Sequence, residues 1–467
     1  MTQGSGDETA SMPLPTPRPL TRRAVFAQAW PIMLGQASVP LVGLVDTAVI
    51  GRTGDTSALA GVALGAVIIG LVFWSFGFLR MGMTGLTAQA NGSGDPREVD
   101  ALLLRALGIG MALGVVVLAL SVPISQLAFA VLAGSDAVTG EASGYMEGRF
   151  YGAPAALAVY AINGWLLGLG RTREALALQI AMNLANIALD VWFVWGLDLG
   201  AFGVGLGTAF AEWIALALGL LIVGRVAGAN ILALTRRTPR TLLLDRTRLI
   251  QLFAVNRDIM IRTIALLILF TWFANAGARI GAVALAANHV LLQFVNVAAF
   301  ILDAFAFTAE ERVGQAYGAR DRERFTRAIR LTSEFALASG VIFALAFMLA
   351  GGPVIDLLTT DPQVRETART FLPFAALVPL VGMPSWMLDG VFIGTTRGRA
   401  LRNAGVAATI IYIVLDLALR PFDNWGVWTA ITASYLLRAG GLALYLPGLL
   451  RDVANTSQIT NTDKSTR

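Results

Sequence analysis

The chain has no cysteine, so neither a disulfide nor a thiolate metal site can form. It has one histidine, His289, too few for a histidine-based metal centre. It has little charge: 14% of its 467 residues are charged, against about 25% in an ordinary soluble domain. No Walker sequence is present, so ATP is not expected to drive it directly, and the glycines of GVGLGTA (203–209) lie inside an apolar run with no preceding strand, which excludes a dinucleotide fingerprint. The first 23 residues are polar and proline-rich and lack the apolar core of a signal peptide; they are expected to form a disordered cytoplasmic tail, as is the segment 451–467. Lysine is nearly absent as well, Lys464 being the single example.

What is present is apolar sequence. Hydrophobic residues make up 56% of the chain and the mean hydropathy is +0.68. With so few charges a soluble fold of this length could not cover its surface, so lipid is the solvent for most of it. The apolar runs are continuous and do not alternate every second residue, which indicates helices rather than a barrel. A helix needs roughly 20 residues to cross about 30 Å of hydrocarbon. Twelve spans are expected, near 26–49, 57–80, 101–122, 149–169, 174–195, 203–224, 252–275, 282–306, 329–350, 371–394, 401–420 and 427–448. The formal charge of +5 would hint at nucleic acid in a soluble protein. Here the arginines fall in loops, mostly on one side, and only Arg52, Arg149, Arg279, Arg365, Arg369 and Arg420 fall on the other. By the positive-inside rule both termini are cytoplasmic, and no nucleic-acid partner is expected.

The two halves repeat. Ala58-Leu59-Ala60 recurs as Ala284-Leu285-Ala286, Gln89/Gly92/Asp95 as Gln315/Gly318/Asp321, Gly168/Arg171/Arg173 as Gly394/Arg397/Arg399, and Leu189-Asp190 as Leu415-Asp416, all at one offset. An even number of helices per unit keeps both halves in the same orientation, related by an axis along the membrane normal, with a cleft between them. The expected fold is therefore all-α and integral to the membrane, with twelve helices in two pseudo-symmetric six-helix bundles. An N-terminal lobe spans 24–224, a basic cytoplasmic linker 225–251, and a C-terminal lobe 252–450. The linker reads as a solvated segment held by anionic lipid, with room for an amphipathic helix.

Acids inside apolar runs are the functional pointers, because a charge at mid-bilayer is costly unless it faces protein or water. Asp46 stands in PLVGLVDTAVIG, six residues after Pro40, which frees a carbonyl near Gln36 and permits a bend. A carboxylate beside a bendable turn can exchange a proton and reshape the helix; the competing reading is an interfacial acid near Arg52. Asn183, Asn186 and Asp190 form one stripe on span five, facing either Asp46, a coupling ion or a structural network. Asp416 is the repeat mate of Asp190, and Asp389 that of Asn163. Asp303 lies in span eight with His289, Glu212 in span six and Arg438 in span twelve, where Arg438 is expected to pair with one of the acids. Gln36, Asn163, Asp303, Asp389, Asp416 and His289 are candidates for lining the cavity. Arg80 is expected to snorkel to the cytoplasmic interface.

PLVGLVDTAVIG, FLRMGMTGLTAQA, ALDVWFVWGL, NRDIM, GQAYGARD and LDGVFIGTTR together resemble, in order and spacing over about residues 24–450, the DinF-like branch of the multidrug and toxic compound extrusion (MATE) transporters. The resemblance implies two six-helix lobes, a bacterial inner-membrane location, and export of cationic or amphipathic compounds in exchange for protons or sodium. It implies a proton and substrate-linked role for Asp46 and a supporting one for Asn186 and Asp190. Sodium-coupled relatives carry a glutamate in span seven; here the stretch IMIRTIALLILFTWFANAG (259–277) of that span has no acid, and Trp272 stands at the repeat position of Asp46. The expected coupling ion is therefore H+, with Na+ the alternative, and no cofactor. Partners are small organic substrates and membrane lipid, with the chain acting as a monomer. The rival functions are a flippase for a lipid-linked precursor, which would need basic residues in the cavity, and a membrane enzyme, which would need a tight cluster of acids or histidines.

Overall fold

The computed structural model describes residues 20–132 and 135–465, without the side chains of Leu41 and of 455–465; the tail expected before residue 20 lies outside the described residues. Among these, all regular structure is helical. The N-terminal lobe contains α1 (Arg22–Gly51), α2 (Thr56–Ser75), α3 (Phe78–Gly92), α4 (Pro96–Ala119), α5 (Ser121–Val131), α6 (Asp136–Phe150), α7 (Ala153–Gly168), α8 (Thr172–Val191), followed by a π-turn at Trp192–Gly196, and α9 (Gly200–Ala227). The linker holds α10 (Ile231–Arg237) and α11 (Arg240–Leu243). The C-terminal lobe contains α12 (Arg246–Ile280), α13 (Ala282–Gly318), α14 (Arg322–Leu358), α15 (Pro362–Gly394), α16 (Gly398–Ala418) and α17 (Asp423–Ser465).

Ten helical segments among the described residues are long and apolar enough to cross a bilayer, and α6 with α7, bent by 54°, makes an eleventh. The twelfth expected span lies within α17, whose apolar run is interrupted by Arg438. Leu349, Leu357 and Leu444 on the outside are 84%, 86% and 83% exposed, as a lipid-facing surface requires. The helix α6 was not expected: DAVTGEASGYMEGRF is too polar to read as a span. It is held because glycines let neighbours close on it. A Cβ on Gly65 of α2 would lie 2.6 Å from the Tyr145 ring, and one on Gly148 would lie 2.7 Å from the Phe202 carbonyl of α9. The backbone of 451–465, expected as a tail, continues α17.

The linker is pinned to the N-terminal lobe. Arg237 pairs with buried Asp100 of α4 at 2.5 Å, Leu234 is fully buried, and Arg105 donates to the carbonyls of Leu242 and Leu243.

Spans two and eight both run on past their expected ends, to Gly92 and Gly318, and these extensions join the lobes. Ala88 and Val313 there are fully buried. The repeat appears in the packing. A Cβ on Gly164 would lie 2.5 Å from the Arg80 carbonyl, and one on its mate Gly390 2.5 Å from the carbonyl of Ala306, the mate of Arg80. Across the lobes, Gly92 sits against the Gln315 carbonyl and Gly318 against that of Gln89, the reciprocal pattern of a two-fold axis between repeats. A second interlobe contact stacks Ala29 of α1 on Leu302 and Phe305 of α13. Buried Gln28 bridges Glu311 and Arg312, donating to the first at 2.8 Å and accepting from the second at 2.6 Å. These contacts lie toward the face that carries both described chain ends, called here the terminal face. Toward the opposite face α1 turns to α8, and Trp195 donates to the Val49 carbonyl at 3.0 Å.

Any side chain at Gly92 must push α3 off α13, at a cost of about 1–3 kcal/mol. Gly92→Val is expected to lower the melting temperature of the purified protein by several degrees. Gly108→Ala, in open space on α4, should leave it unchanged or slightly raised.

Candidate functional site

Two groups of buried charge stand in the two lobes. In the N-terminal lobe, α1 brings Asp46 beside Asp190 of α8, close enough for each carboxyl group to act on the other. Asp46 is 9% exposed and Asp190 fully buried, and Oδ1 of each has no hydrogen-bond partner. The stripe on α8 fans out around this pair. Asn186 donates to Asp190 at 3.0 Å and to Thr208 of α9 at 3.0 Å. Asn183 donates to the Ser38 hydroxyl of α1 at 2.9 Å and accepts from Gln179 at 2.8 Å. Gly207 leaves the space into which the Asp190 carboxylate fits. The pair is thus clamped from α9, while its α1 side is loose: that helix contains Pro31, which is buried, and Pro40, around which it is largely exposed.

The cation nearest this pair is Arg149 of α6, which forms an ion pair with Glu212 of α9 at 2.9 Å and lies over the Phe73 ring at 4.9 Å. Three acids therefore share one arginine. Arg52, a possible neighbour of Asp46, instead lies over the Trp195 ring at 6.0 Å. Gln36, ten residues before Asp46, is half-buried about 15 Å farther along the helix. Asn163 is half-buried on α7.

The repeat-related position in the C-terminal lobe is built differently. Trp272, mate of Asp46, donates to Asp416, mate of Asp190, at 2.8 Å, and Arg279 adds a charged bond to Asp416 at 2.6 Å. Asp416 is thus held as a matched anion. Asp389 is bonded by Arg262 and lies 3.7 Å from Arg438, which donates to the Ser385 hydroxyl at 2.8 Å. Asp303 is half-buried near Arg80, Arg262, Asp389 and Arg438. Arg438 does meet an acid, namely Asp389. His289 lies apart, exposed on α13, with Gln293 at 3.3 Å.

Arg80 departs from expectation: it does not reach out to the interface. Its side chain is 17% exposed, with the guanidinium 4.0 Å from the centre of the Phe307 ring and 3.9 Å from Glu310 of the other lobe. Glu310, Glu311 and Arg312 escaped the sequence reading, which ended span eight at 306 and placed them in a loop. The signal that could have found them is the Gln315/Gly318 repeat, whose partner Gln89/Gly92 ends a continuous apolar helix.

Facing carboxyls in one bundle, a balanced ion cluster in its twin, and a two-fold seam between them define a two-lobed membrane transporter rather than an enzyme. The comparisons with known proteins agree. The MatE family model matches residues 31–192 and again 259–418, one match per repeat, and the chain belongs to that family. DNA damage-inducible protein F of Escherichia coli K12 is 36% identical over 421 residues, covering 90% of this chain and 91% of that one. The probable multidrug resistance protein NorM of Acinetobacter baylyi is 23% identical over 83% of this chain and 86% of that one. Among solved structures, the bent form of the Vibrio cholerae MATE transporter VcmN superposes with a TM-score of 0.82 at 18% identity, covering 93% of this chain and 98% of that one. An outward-facing MATE family transporter of the MOP superfamily does so at 0.80 and 18%, covering 93% and 97%.

The Asp416 carboxylate is matched by Trp272 and Arg279, so its removal is expected to act on stability. Asp416→Asn keeps the bond from Trp272 but removes the charge facing Arg279, at about 1–3 kcal/mol. It is expected to lower the melting temperature by a few degrees while substrate efflux from proteoliposomes stays within about twofold of wild type.

Proposed function

We propose that this protein exports organic, often cationic or amphipathic, compounds from the cytoplasm in exchange for protons, working as a monomer by alternating access of its two lobes. In this reading the positive-inside bias of the arginines makes the terminal face the cytoplasmic one, and the state in which the lobes meet there is the one closed toward the cytoplasm.

The observation that carries the reading is the Asp46–Asp190 pair. Two carboxyl groups in contact cannot both ionise cheaply, and they share a proton unless a cation neutralises them. Arg149 cannot do so fully, because Glu212 already takes its charge. The pair therefore holds either a proton or another cation. An organic cation that supplies the missing positive charge expels the proton, and a proton arriving from the acidic side expels the cation; that competition is the thermodynamic content of antiport. Mechanical coupling follows from the same geometry. The shared proton draws the loose half of α1 onto α8, and its loss sets two negative charges against each other and drives α1 away, with Pro40 as the yielding point. Trp272 at the matching position offers no proton, so the exchange belongs to the N-terminal lobe.

The test is reconstitution with a pH gradient. Asp46→Asn and Asp190→Asn are each expected to cut proton-driven efflux of an organic cation at least about tenfold, that is about 1.4 kcal/mol or more of driving interaction, in protein that melts like wild type. A sodium gradient alone is expected to drive none. Undiminished efflux in Asp46→Asn, or sodium-driven efflux in wild type, would refute the proton reading.

A further inference from the structure

We propose that Arg80 fills a cation site belonging to the opposite lobe: the face of α13 formed by Asp303, Phe307 and Glu310 takes up an organic monocation when the lobes part at the terminal face, and Arg80 is the tethered guanidinium that displaces it when they close. The inference rests on the rocking of the lobes set out above, though not on the Asp46–Asp190 proton.

The three residues stand at i, i+4 and i+7, one stripe on one helix. Phe307 and Glu310 both meet the Arg80 guanidinium, at 4.0 Å from the ring centre and 3.9 Å from the carboxylate. Arg80 belongs to α3, in the N-terminal lobe, so this contact exists only while the lobes are together. It is also loosely made. Glu310 is 1% exposed, yet its Oε2 has no hydrogen-bond partner, and neither does Nη1 of Arg80. Within the C-terminal lobe, by contrast, Arg262 bonds Asp389 and Arg438 bonds Ser385. Arg80 is held by charge and by a ring face, without the bidentate bonding that would fix a structural arginine.

The charge balance points the same way. The charged groups facing Glu310 are Arg80 of α3, Arg262 of α12, Asp303 of α13 and Asp389 of α15, with Arg438 of α17 beside Asp303 and Asp389. Without Arg80, the acids Asp303, Glu310 and Asp389 are set against Arg262 and Arg438 alone. One negative charge is then unmatched among largely buried side chains, and an uncompensated buried charge draws in a cation. A carboxylate beside an aromatic face suits a delocalised organic cation, whereas Ca2+ and other hard ions need six or more oxygens. On closure Arg80 returns, and the site cannot hold both cations. Release toward the other face then needs no change in the site itself.

The test uses purified full-length protein in detergent, with no gradient, and ethidium as the monocation, followed by fluorescence anisotropy. Arg80→Met keeps the apolar stem and removes the guanidinium; it is expected to bind ethidium roughly tenfold more tightly than wild type. Adding Glu310→Gln should abolish that gain, and adding Phe307→Leu should reduce it severalfold. If Arg80→Met does not melt cooperatively, Arg80→Gln takes its place with the same expectation. No gain in either Arg80 variant, or a gain that survives Glu310→Gln, would overturn the site. Failure of the Asp46→Asn prediction would leave this binding gain intact, so the two readings fall separately.

Discussion

Two acids from different helices, Asp46 and Asp190, meet in the interior of the N-terminal lobe without a full counter-charge, and the rest of the molecule is arranged around that meeting. An unpaired carboxylate in such a place costs several kcal/mol, so the fold must either neutralise it or use it. Glu212 is neutralised by Arg149, whose position depends on α6 being wedged by glycines between α2 and α9. The Asp46–Asp190 pair has no such partner of its own, and the proposed function gives it a mobile cation. The clamp on one side, from Asn186, Thr208 and Gly207, and the proline-bearing helix on the other make the pair responsive to what it holds.

The repeat shows how the same scaffold serves two ends. At the position of Asp46 the second half has Trp272, and an arginine, Arg279, completes the neutralisation of Asp416. The position proposed to exchange charge in one lobe is a fully bonded anion in the other. The C-terminal lobe instead concentrates its charge around Asp389, Asp303 and Glu310, where the lobes meet, and takes its balancing cation from the other half of the chain. Ionic matching within each lobe supplies stability, and matching across the seam depends on conformation. Beside it Gly92 and Gly318 put backbone against backbone, a contact without ionic partners.

Much of this was legible in the sequence. The repeat, the membrane-spanning helices and the acids in apolar runs need only periodicity and the cost of buried charge to be seen. What was not legible has a common cause: polar residues buried against other helices look like loop. Asp136–Phe150 is too polar for a span, yet it packs as a helix because Gly61, Gly65 and Gly205 admit it. Glu310, Glu311 and Arg312 look like a loop after span eight, yet all three are at most 4% exposed, since α3 and α1 cover them. Arg80 looks like an interfacial arginine until Phe307 is seen beneath it. Single-helix reasoning weighs a charge against lipid; these are weighed against a partner helix far away in the chain.

The proposed antiport requires that Asp46 and Asp190 hold one proton that a cationic substrate displaces. Proton release from purified, weakly buffered protein on adding an organic cation measures this without membranes or gradients. On this account wild type releases on the order of one proton per cation bound, and Asp46→Asn and Asp190→Asn release none. Equal release by wild type and both variants would contradict it.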